Sequence, residues 1–400
     1  MRVHVPAVEY QTFHWVPKHA QIFSNAEVRR QTGPYRAAIP ATLKDVSILI
    51  DPETSMELER SALAIKQFDS YAAEMLPPHS ADLAPMSAIL LRTESASSSQ
   101  IEQLSTSAKQ LALVEINEGS KRNAVTVLGN VRAMEAANLD TLLKMHFELL
   151  SHQIDMEEEA GKLRRELVWI GGSDTAGPLG ASYIAPQHDV VPKALEDLFF
   201  FINHSRLPIV AKIAIAHAQF ETIHPFVDGN GRTGRALAHS MLRSSQLSTR
   251  TTIPLSAGVL RNIDGYFEAL SAYREGDAGK IIEVFAQAAR YASFAGKQLV
   301  DSLAQAIADS GQKLKSVRSD STAFKLLPLL IAQPVINTAY VRKALGVADA
   351  TALRAIGALV EHGVLKETSG QARHRVWQHT GILAALDSFA AQLRRDTLHR

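Results

Sequence analysis

Apolar residues recur at helical spacing along much of the chain. One run, over 52–74, brings four of them to a single helix face: Leu58, Ala62, Ile65 and Phe68. Pro77 and Pro78 follow this run and favour its end. The pattern therefore predicts a long amphipathic helix over 52–74.

The same spacing predicts further helices. They cover about 82–117, the segment KRNAVTVLGNVRAMEAA, then 139–150, 192–223, 232 to about 244, about 259–275 and about 277–310. The first 40 or so residues are rich in proline and aromatic residues, which favours an extended arm with short strands. The stretch GGSDTAGPLGASYIAPQHD is dense in turn formers and favours a loop or hairpin. We predict a mainly α fold.

The polar segment ADSGQKLKSVRSDSTA is typical of a linker, and the pattern of apolar residues changes after it. Two short helical patterns are separated by Gly346 and stop at Gly363, and a hairpin-like pair, VLKET and RHRVWQ, turns at Ser369 and Gly370. This order is typical of a winged helix-turn-helix. Asp349 is predicted to cap the second helix.

Two functions remain open for this C-terminal region. Thr351 and Arg354 lie near the start of the second helix, where contacts to a DNA major groove would form, and the wing sequence contains Arg373, His374 and Arg375. The alternative is a packing or dimerisation module, and only in the second case would the region make the protein a homodimer. Because the region has no dense stripe of lysine and arginine, the sequence favours neither reading.

Composition excludes several classes of protein. The 400 residues are 46% hydrophobic and 21% charged, as in ordinary globular proteins, and the net charge of +1 gives no global field for nucleic acid or membrane. The absence of cysteine excludes disulfides and thiolate metal sites. Neither a signal peptide nor a run of about 20 apolar residues is present, so we expect a cytoplasmic protein without membrane partners.

The segment 224–235, HPFVDGNGRTGR, concentrates chemically useful side chains. Pro225 favours a helix end at His224, and the glycines beside Asn230 permit a turn before a new helix. Main-chain N–H groups at such a helix start bind anions. Arg232 and Arg235 share one face of the first turn, where their charges oppose the helix dipole unless a polyanion or a carboxylate is bound.

Three other residues of the segment complete this chemistry. Asp228 could pair with an arginine, cap the helix or hold Mg²⁺ against phosphate oxygens, and His224 could accept a proton from an attacking hydroxyl. Phe226 is apolar and is expected to anchor the loop. No strand precedes the glycines, which excludes a P-loop or Rossmann element, and no H-E-x-x-H zinc pattern occurs.

The segment resembles the Fic motif, HPFx[DE]GNGRxxR, at every defined position. The preceding run AHAQFETI and the stretch VWIGG at 168–172 are also similar to this family, and the likeness extends over roughly 35–380. The resemblance implies a Fic-type helical bundle with a small flap hairpin. It also implies an enzyme that transfers AMP from ATP to a serine, threonine or tyrosine hydroxyl of a protein and releases pyrophosphate.

The resemblance assigns a role to each motif residue. His224 would deprotonate the target hydroxyl, and Asp228 would hold Mg²⁺. The β-phosphate would bind Arg232 and the γ-phosphate Arg235. The remaining ATP-binding residues of the motif would be Gly229, Asn230, Gly231 and Gly234.

Two other segments resemble substrate-binding parts of the family. In LRNIDGYFEAL at 260–270, Asn262 and Tyr266 are candidates to meet adenine, although Tyr266 fits a core position equally well. In GASYIAP at 180–186, Tyr183 and Ile184 are candidates for the flap, which would pair edge to edge with the target peptide.

A second motif lies upstream, at TESASSSQIEQ. Ser98 and Glu102 are four residues apart and are expected to share a helix face. The spacing resembles the Fic inhibitory motif, [ST]xxxE[GN], whose glutamate would pair with Arg235 and block the γ-phosphate site. Gln103 departs from this motif because it occupies the position of Gly or Asn.

The expected organisation has four parts: an N-terminal helical region with the inhibitory helix (1–125), a Fic core (126–310), a winged helix-turn-helix (320–380) and a C-terminal helix (381–400). The leading prediction is an autoinhibited adenylyltransferase that uses ATP and Mg²⁺ and can modify itself. The alternatives are removal of AMP, transfer of another phosphate-containing group, or a DNA-linked regulator in which the Fic chemistry is vestigial.

Overall fold

The structure is a computed structural model that describes residues 3–18, 20–75, 85–103, 107–116, 138–151, 153, 156–172, 176–368 and 374–398. Within these ranges the chain is mainly helical and contains three small antiparallel sheets, which confirms the predicted class. The helix predicted over KRNAVTVLGNVRAMEAA lies outside them. No helix in the described ranges is both long and apolar enough to cross a bilayer.

The chain forms two compact units. The first contains Met1–Glu59, Ala133–Met241 and Asp264–Ala286, and the second contains Arg60–Arg132, Leu242–Ile263 and Gln287–Arg400. In chain order, the described helices are α1 (Asn25–Arg30), α2 (Pro52–Met75), α3 (Pro85–Ile101), α4 (Ala108–Glu115), α5 (Leu139–Leu150), α6 (Val191–His204), α7 (Ile209–Ile223), α8 (Asn230–Ser244), α9 (Leu255–Leu260), α10 (Ile263–Arg274), α11 (Gly279–Lys313), α12 (Thr322–Leu326), α13 (Leu329–Ala332), α14 (Thr338–Leu345), α15 (Asp349–Glu361) and α16 (Thr380–Leu398).

The strands form small sheets. They are β1 (Glu9–Trp15), β2 (Gly33–Ile39), β3 (Trp169–Ile170), β4 (Tyr183–Ile184), β5 (Val335–Ile336), β6 (Lys366–Glu367) and β7 (Trp377–Gln378). Strands β1 and β2 pair from Glu9 opposite Ile39 to Trp15 opposite Gly33, so the N-terminal arm forms a two-stranded antiparallel sheet whose connection contains α1. The Trp15 ring meets the Trp169 ring edge-on at 5.7 Å, and its Nε1 donates to the Ala176 carbonyl at 3.0 Å.

In the first unit, the core is organised around α7. Almost every residue of this helix is buried, as expected from its continuous apolar run. Helix α6 packs against it. Helix α8 approaches it at Gly234, where an added Cβ would lie 2.9 Å from the Phe220 ring and 3.0 Å from Glu221 Oε1. A larger residue at 234 would therefore push the two helices apart.

In the second unit, α3 packs against α9 and α13. The buried Glu94 carboxylate accepts hydrogen bonds from the Ser256 N–H, at 2.8 Å, and from the Ser256 hydroxyl. Helix α9 contacts α11 so closely that a Cβ on Gly258 would lie 2.2 Å from the Ala288 carbonyl oxygen. Helix α3 thus buries a carboxylate whose two oxygens are both hydrogen-bonded, as buried polar groups require.

The prediction of one helix over about 82–117 is wrong, because the structure has two helices there, α3 and α4. Helix α3 ends at Ile101, and Glu102 and Gln103 form a turn with N–H bonds to the carbonyls of Ser99 and Gln100. Gln103 has φ of +61°, the left-handed conformation that commonly ends helices. The end of α3 could not be predicted from the sequence, because glutamine, rather than glycine or asparagine, adopts the left-handed conformation there.

Gln103→Gly is expected to raise the free energy of unfolding by about 0.5–1 kcal/mol. The left-handed conformation is unfavourable for a residue with a Cβ, and this gain exceeds the added freedom of glycine in the unfolded chain. Urea denaturation would measure the change. Gln100→Gly, within α3, is the matched control and should destabilise by about 0.5–1 kcal/mol. A loss of stability in Gln103→Gly would contradict the prediction.

The C-terminal elements have the predicted order of two helices followed by a hairpin. Helix α14 ends at Leu345 and is capped by Gly346, whose φ is +64°. Strand β6 pairs with β7, which also pairs with β5. The predicted turn at Ser369 and Gly370 lies outside the described residues. The predicted linker is partly wrong, because α11 extends to Lys313 through polar residues such as Ser310, whose hydroxyl lies 2.8 Å from His379 Nε2.

The predicted cap by Asp349 is also wrong. Ala348 is the N-cap of α15 and makes no side-chain cap bond, because Asp349 is already the first helical residue. Its carboxylate instead lies 3.5 Å from Arg342, while Arg375 pairs with Glu367. Arg373 lies outside the described residues. Two basic side chains of this region are thus ion-paired, and DNA binding stays a prediction.

Candidate active site

The C-terminal end of α7 sets the position of His224. The helix ends at Ile223, as predicted, and His224 caps it in the left-handed conformation, with φ of 49° and ψ of 62°. Its N–H donates to the Phe220 carbonyl at 2.9 Å. This conformation costs a residue with a Cβ about 1–2 kcal/mol, so surrounding contacts must hold it.

The His224 ring is mostly buried, with 16% of the side chain exposed. Its Nδ1 lies 3.4 Å from the Glu221 carbonyl oxygen and 3.8 Å from the Glu221 carboxylate. Burial lowers the pKa of His224 to about 4; the charges of Arg164 and Arg274 add to this effect, while the Glu221 carbonyl and Asp228 oppose it. The imidazole is therefore neutral at physiological pH and able to accept a proton.

Arg164 binds the chain on both sides of this histidine. It is 2% exposed, and its guanidinium donates to the carbonyls of His224, Glu166 and Pro186, each at 2.7 Å. Its own N–H donates to the Pro225 carbonyl at 3.0 Å. Sequence reasoning missed this residue, because nothing in the run KLRREL distinguishes a buried arginine from its neighbours.

The loop after His224 is locked by Phe226 and Asn230. The Phe226 ring is fully buried and stacks on the His146 imidazole at 3.7 Å, in agreement with its predicted anchoring role. The Asn230 side-chain oxygen accepts from the Phe226 N–H, and its amide nitrogen donates to the Phe226 carbonyl, both at 2.9 Å. Asn230 thus shapes the loop with its side chain.

His146 of α5 supports the same loop and was also missed from sequence. Its Nδ1 accepts the Gly161 N–H at 2.9 Å, so the proton resides on Nε2, which donates to the Asp228 carbonyl at 3.0 Å. Burial lowers the pKa of His146 to about 4, which keeps the ring neutral. The imidazole therefore connects α5 to the turn that carries Asp228.

Asp228 and Arg232 form an ion pair at the start of α8. Asp228 Oδ2 lies 3.3 Å from Arg232 Nη2 and accepts a hydrogen bond from Gln153 at 3.2 Å. The arginine is buried, whereas the carboxylate is 39% exposed. The described residues contain no cluster of three or more metal-binding side chains. Because Mg²⁺ binds through one or two carboxylates together with substrate phosphates, Asp228 alone is a suitable donor.

The glycines of the motif serve different purposes. Gly229 has φ of +74°, and its carbonyl accepts the Thr233 N–H at 2.9 Å, which begins α8. Gly231 is half-buried in the first turn of this helix. Gly234 faces α7, where a Cβ would meet Phe220 and Glu221, and its role in ATP binding stays a prediction. Arg235 is buried one helical turn after Arg232, as its spacing predicts.

The two adenine candidates have different surroundings. Tyr266 is buried, and its hydroxyl lies 2.8 Å from His217 Nε2 in the first unit, so its side chain belongs to the core. Asn262 is exposed and belongs to the second unit, between α9 and α10. Of the two, only Asn262 has an exposed side chain.

Strands β3 and β4 form the predicted hairpin, with Trp169 opposite Ile184 and Ile170 opposite Tyr183. Tyr183 is buried: its hydroxyl donates to the Thr222 carbonyl, and the Arg274 guanidinium lies 3.6 Å from its ring centroid. Burial raises the pKa of its hydroxyl. Ile184 is half-buried. Tyr183 can therefore offer a target only its main chain.

The residues of the upstream motif lie at the end of α3, in the second unit. Ser98 is buried within the helix, and Glu102 is half-buried in the turn that follows it. The expected shared helix face is thus replaced by a helix residue and a turn residue.

Residues 136–242 match the model of the Fic/DOC family. A probable protein adenylyltransferase from Aquifex aeolicus is 35% identical over 106 residues, which cover 26% of this chain and 30% of that protein. The protein adenylyltransferase Fic of Drosophila willistoni is 27% identical over 189 residues, 46% of this chain and 35% of that protein. The chain thus spans about a third of these relatives. A crystal structure of a Fic family protein from Desulfovibrio desulfuricans shares the fold, with a TM-score of 0.52 at 22% identity over 83% of this chain and 97% of that one.

Proposed function

We propose that this chain, which contains a Fic/DOC region, is a protein adenylyltransferase that moves AMP from ATP to a hydroxyl group of a protein. One observation carries the proposal: a histidine with a lowered pKa, His224, directly precedes a loop and helix start with Asp228, Arg232 and Arg235. Two relatives of this region, from Aquifex aeolicus and Drosophila willistoni, are named as protein adenylyltransferases, which supports the same activity. The acceptor is a serine, threonine or tyrosine of a target protein or of the chain itself.

The transfer needs a base and a site for phosphate charge. His224 accepts the proton of the target hydroxyl as its oxygen bonds to the α-phosphorus, and the bond from that phosphorus to the α–β bridging oxygen breaks to release pyrophosphate. The main chain of 229–231 receives phosphate oxygens, and Arg232 and Arg235 neutralise the β- and γ-phosphates. Mg²⁺, when bound at Asp228, would supply further charge neutralisation.

Two peripheral parts of the substrate site belong to the same proposal. Asn262 meets the adenine base, whereas Tyr266 supports α7 from the core through His217. The main chain of Tyr183 and Ile184 pairs with an extended target segment, because strand addition needs no exposed side chain at the pairing residues.

We also propose that the resting enzyme is autoinhibited. The Glu102 carboxylate competes with the γ-phosphate of ATP for Arg235, and Ser98 helps to fix the end of α3. The chemistry supports this competition, because a carboxylate and a phosphate are alternative anionic partners for one guanidinium.

Labelled nucleotides test the transferred group directly. The protein, incubated with Mg²⁺ and either α-³²P-ATP or γ-³²P-ATP, is expected to incorporate label into protein only from the α-labelled nucleotide. Label from the γ position would indicate phosphoryl transfer instead. Label from UTP, GTP or CTP but not from ATP would indicate a different nucleotidyl group, and either result would overturn the proposed activity.

A further inference from the structure

The structure contains a buried cation that the proposed chemistry does not use. Arg164 has the largest side chain among the fully buried residues that the structure describes. Within the described residues, every acceptor of its guanidinium hydrogen bonds is a main-chain carbonyl. A buried arginine is usually paired with a carboxylate or phosphate, because burying an unpaired charge is unfavourable. Burial of Arg164 without an anionic partner in the described part of the chain is therefore costly, which indicates a function other than packing.

Apart from the nearby carbonyl of Glu166, the carbonyls that the Arg164 guanidinium binds belong to the two segments that must meet for catalysis. One is the carbonyl of His224, and Ile223 O lies 3.5 Å away. The other is the carbonyl of Pro186, two residues after β4 ends. One rigid, planar guanidinium therefore joins the main chain of the proposed base to the main chain that leaves the flap hairpin.

Arg164 also acts on His224 electrostatically. Four ionisable residues surround the imidazole: Glu221 of α7, Asp228 of the loop, Arg274 of α10 and Arg164 of the segment before β3. Burial has the largest influence on the pKa of His224, and the charge of Arg164 lowers it further. The pKa of Arg164 itself falls only to about 10, so the guanidinium keeps its charge at neutral pH.

We infer that Arg164 is a positioning residue that fixes the distance between His224 and the target-binding strand β4. The inference rests on the proposed function. The hydrogen-bond partners of Arg164 all precede Asp228, where the proposed phosphate-binding residues begin. We therefore expect ATP binding to be independent of Arg164. A displacement of a reacting group by about 1 Å can lower a rate by about 10²-fold.

The experiment compares wild-type protein with Arg164→Met, Arg164→Lys and Arg165→Met. We expect Arg164→Met to lower kcat for AMP transfer by about 10- to 100-fold while KM for ATP changes less than about twofold. Arg164→Lys should recover part of the rate, because one ammonium can bond some of the carbonyls. Arg165 is the exposed neighbour of the same chemical type, and its replacement should leave kcat unchanged.

A second measurement does not depend on activity. An NMR titration of the His224 imidazole, assigned by its loss in His224→Gln, should show a higher pKa in Arg164→Met than in wild-type protein, with the Arg164→Lys value close to wild type. If Arg164→Met does not fold, the rate of Arg164→Lys decides: a kcat equal to that of wild-type protein would overturn the inference.

The outcomes separate the two hypotheses. A lack of AMP transfer by both wild-type protein and Glu102→Gly would refute the proposed function, while a changed His224 pKa in the Arg164 variants would still support the positioning of this histidine. AMP transfer that depends on His224 but has wild-type kcat and a wild-type pKa in Arg164→Met would overturn the role of Arg164 alone.

Discussion

His224→Ala is expected to lower AMP transfer by about 10²–10⁴-fold, the usual contribution of a general base. The neutral imidazole is the group placed to accept the proton, and the main-chain conformation that presents it is retained by a stable cap at the end of α7. Because the phosphate-binding residues begin at Asp228, the affinity for ATP should stay within about twofold. Incorporation of α-³²P label and calorimetric titration with ATP would measure the two quantities.

His188→Ala is a suitable control for this experiment. His188 is exposed in the turn before α6, so its loss should change neither quantity. Transfer by His224→Ala at the wild-type rate would exclude His224 as the base. A large loss of ATP affinity would instead indicate that the left-handed cap organises the phosphate loop.

Glu102→Gly is expected to raise self-modification by about 10- to 100-fold. Hydrogen bonds to charged groups contribute about 1.5–3 kcal/mol. Without the Glu102 carboxylate, ATP would no longer have to displace such a bond at Arg235, so its binding would be more favourable by about that amount. Incorporation of α-³²P label at limiting ATP would measure the change. Glu275→Gly, the same substitution at an exposed turn in the first unit, should have no effect.

The double variant Glu102→Gly with His224→Ala distinguishes release of inhibition from unspecific labelling. It should incorporate as little label as His224→Ala alone. Equal labelling of wild type and Glu102→Gly would refute the autoinhibition while leaving the transfer reaction itself intact. Labelling that persists in the double variant would point to a nucleophile or base elsewhere.

Local sequence patterns predicted much of the fold. Helix α2 matches the predicted run over 52–74, because Leu58, Ile65 and Phe68 are all buried at helical spacing. The end of α7 at Ile223 followed from the proline after His224. In both cases the information lies within a few residues, where steric rules act directly.

Contacts between distant segments could not be predicted in the same way. Arg164 and His146 bind the motif loop from 60 and 82 residues away, through carbonyls that every sequence contains. The position of Asn230 in the motif predicts a contact with ATP, yet its side-chain amide bonds to the main chain of Phe226 within the loop. The left-handed Gln103 lacks the usual residue type for its conformation, so only the backbone revealed the helix end.

The two indoles that meet edge-on at the flap hairpin give the protein an internal optical probe. The chain has three tryptophans; Trp15 and Trp169 touch each other beside β4, while Trp377 is buried in the second unit. Both flap indoles are half-buried, so their emission depends on the water around the hairpin. A peptide added to β4 would change that hydration, and its binding could be followed by intrinsic fluorescence, without a label and without turnover.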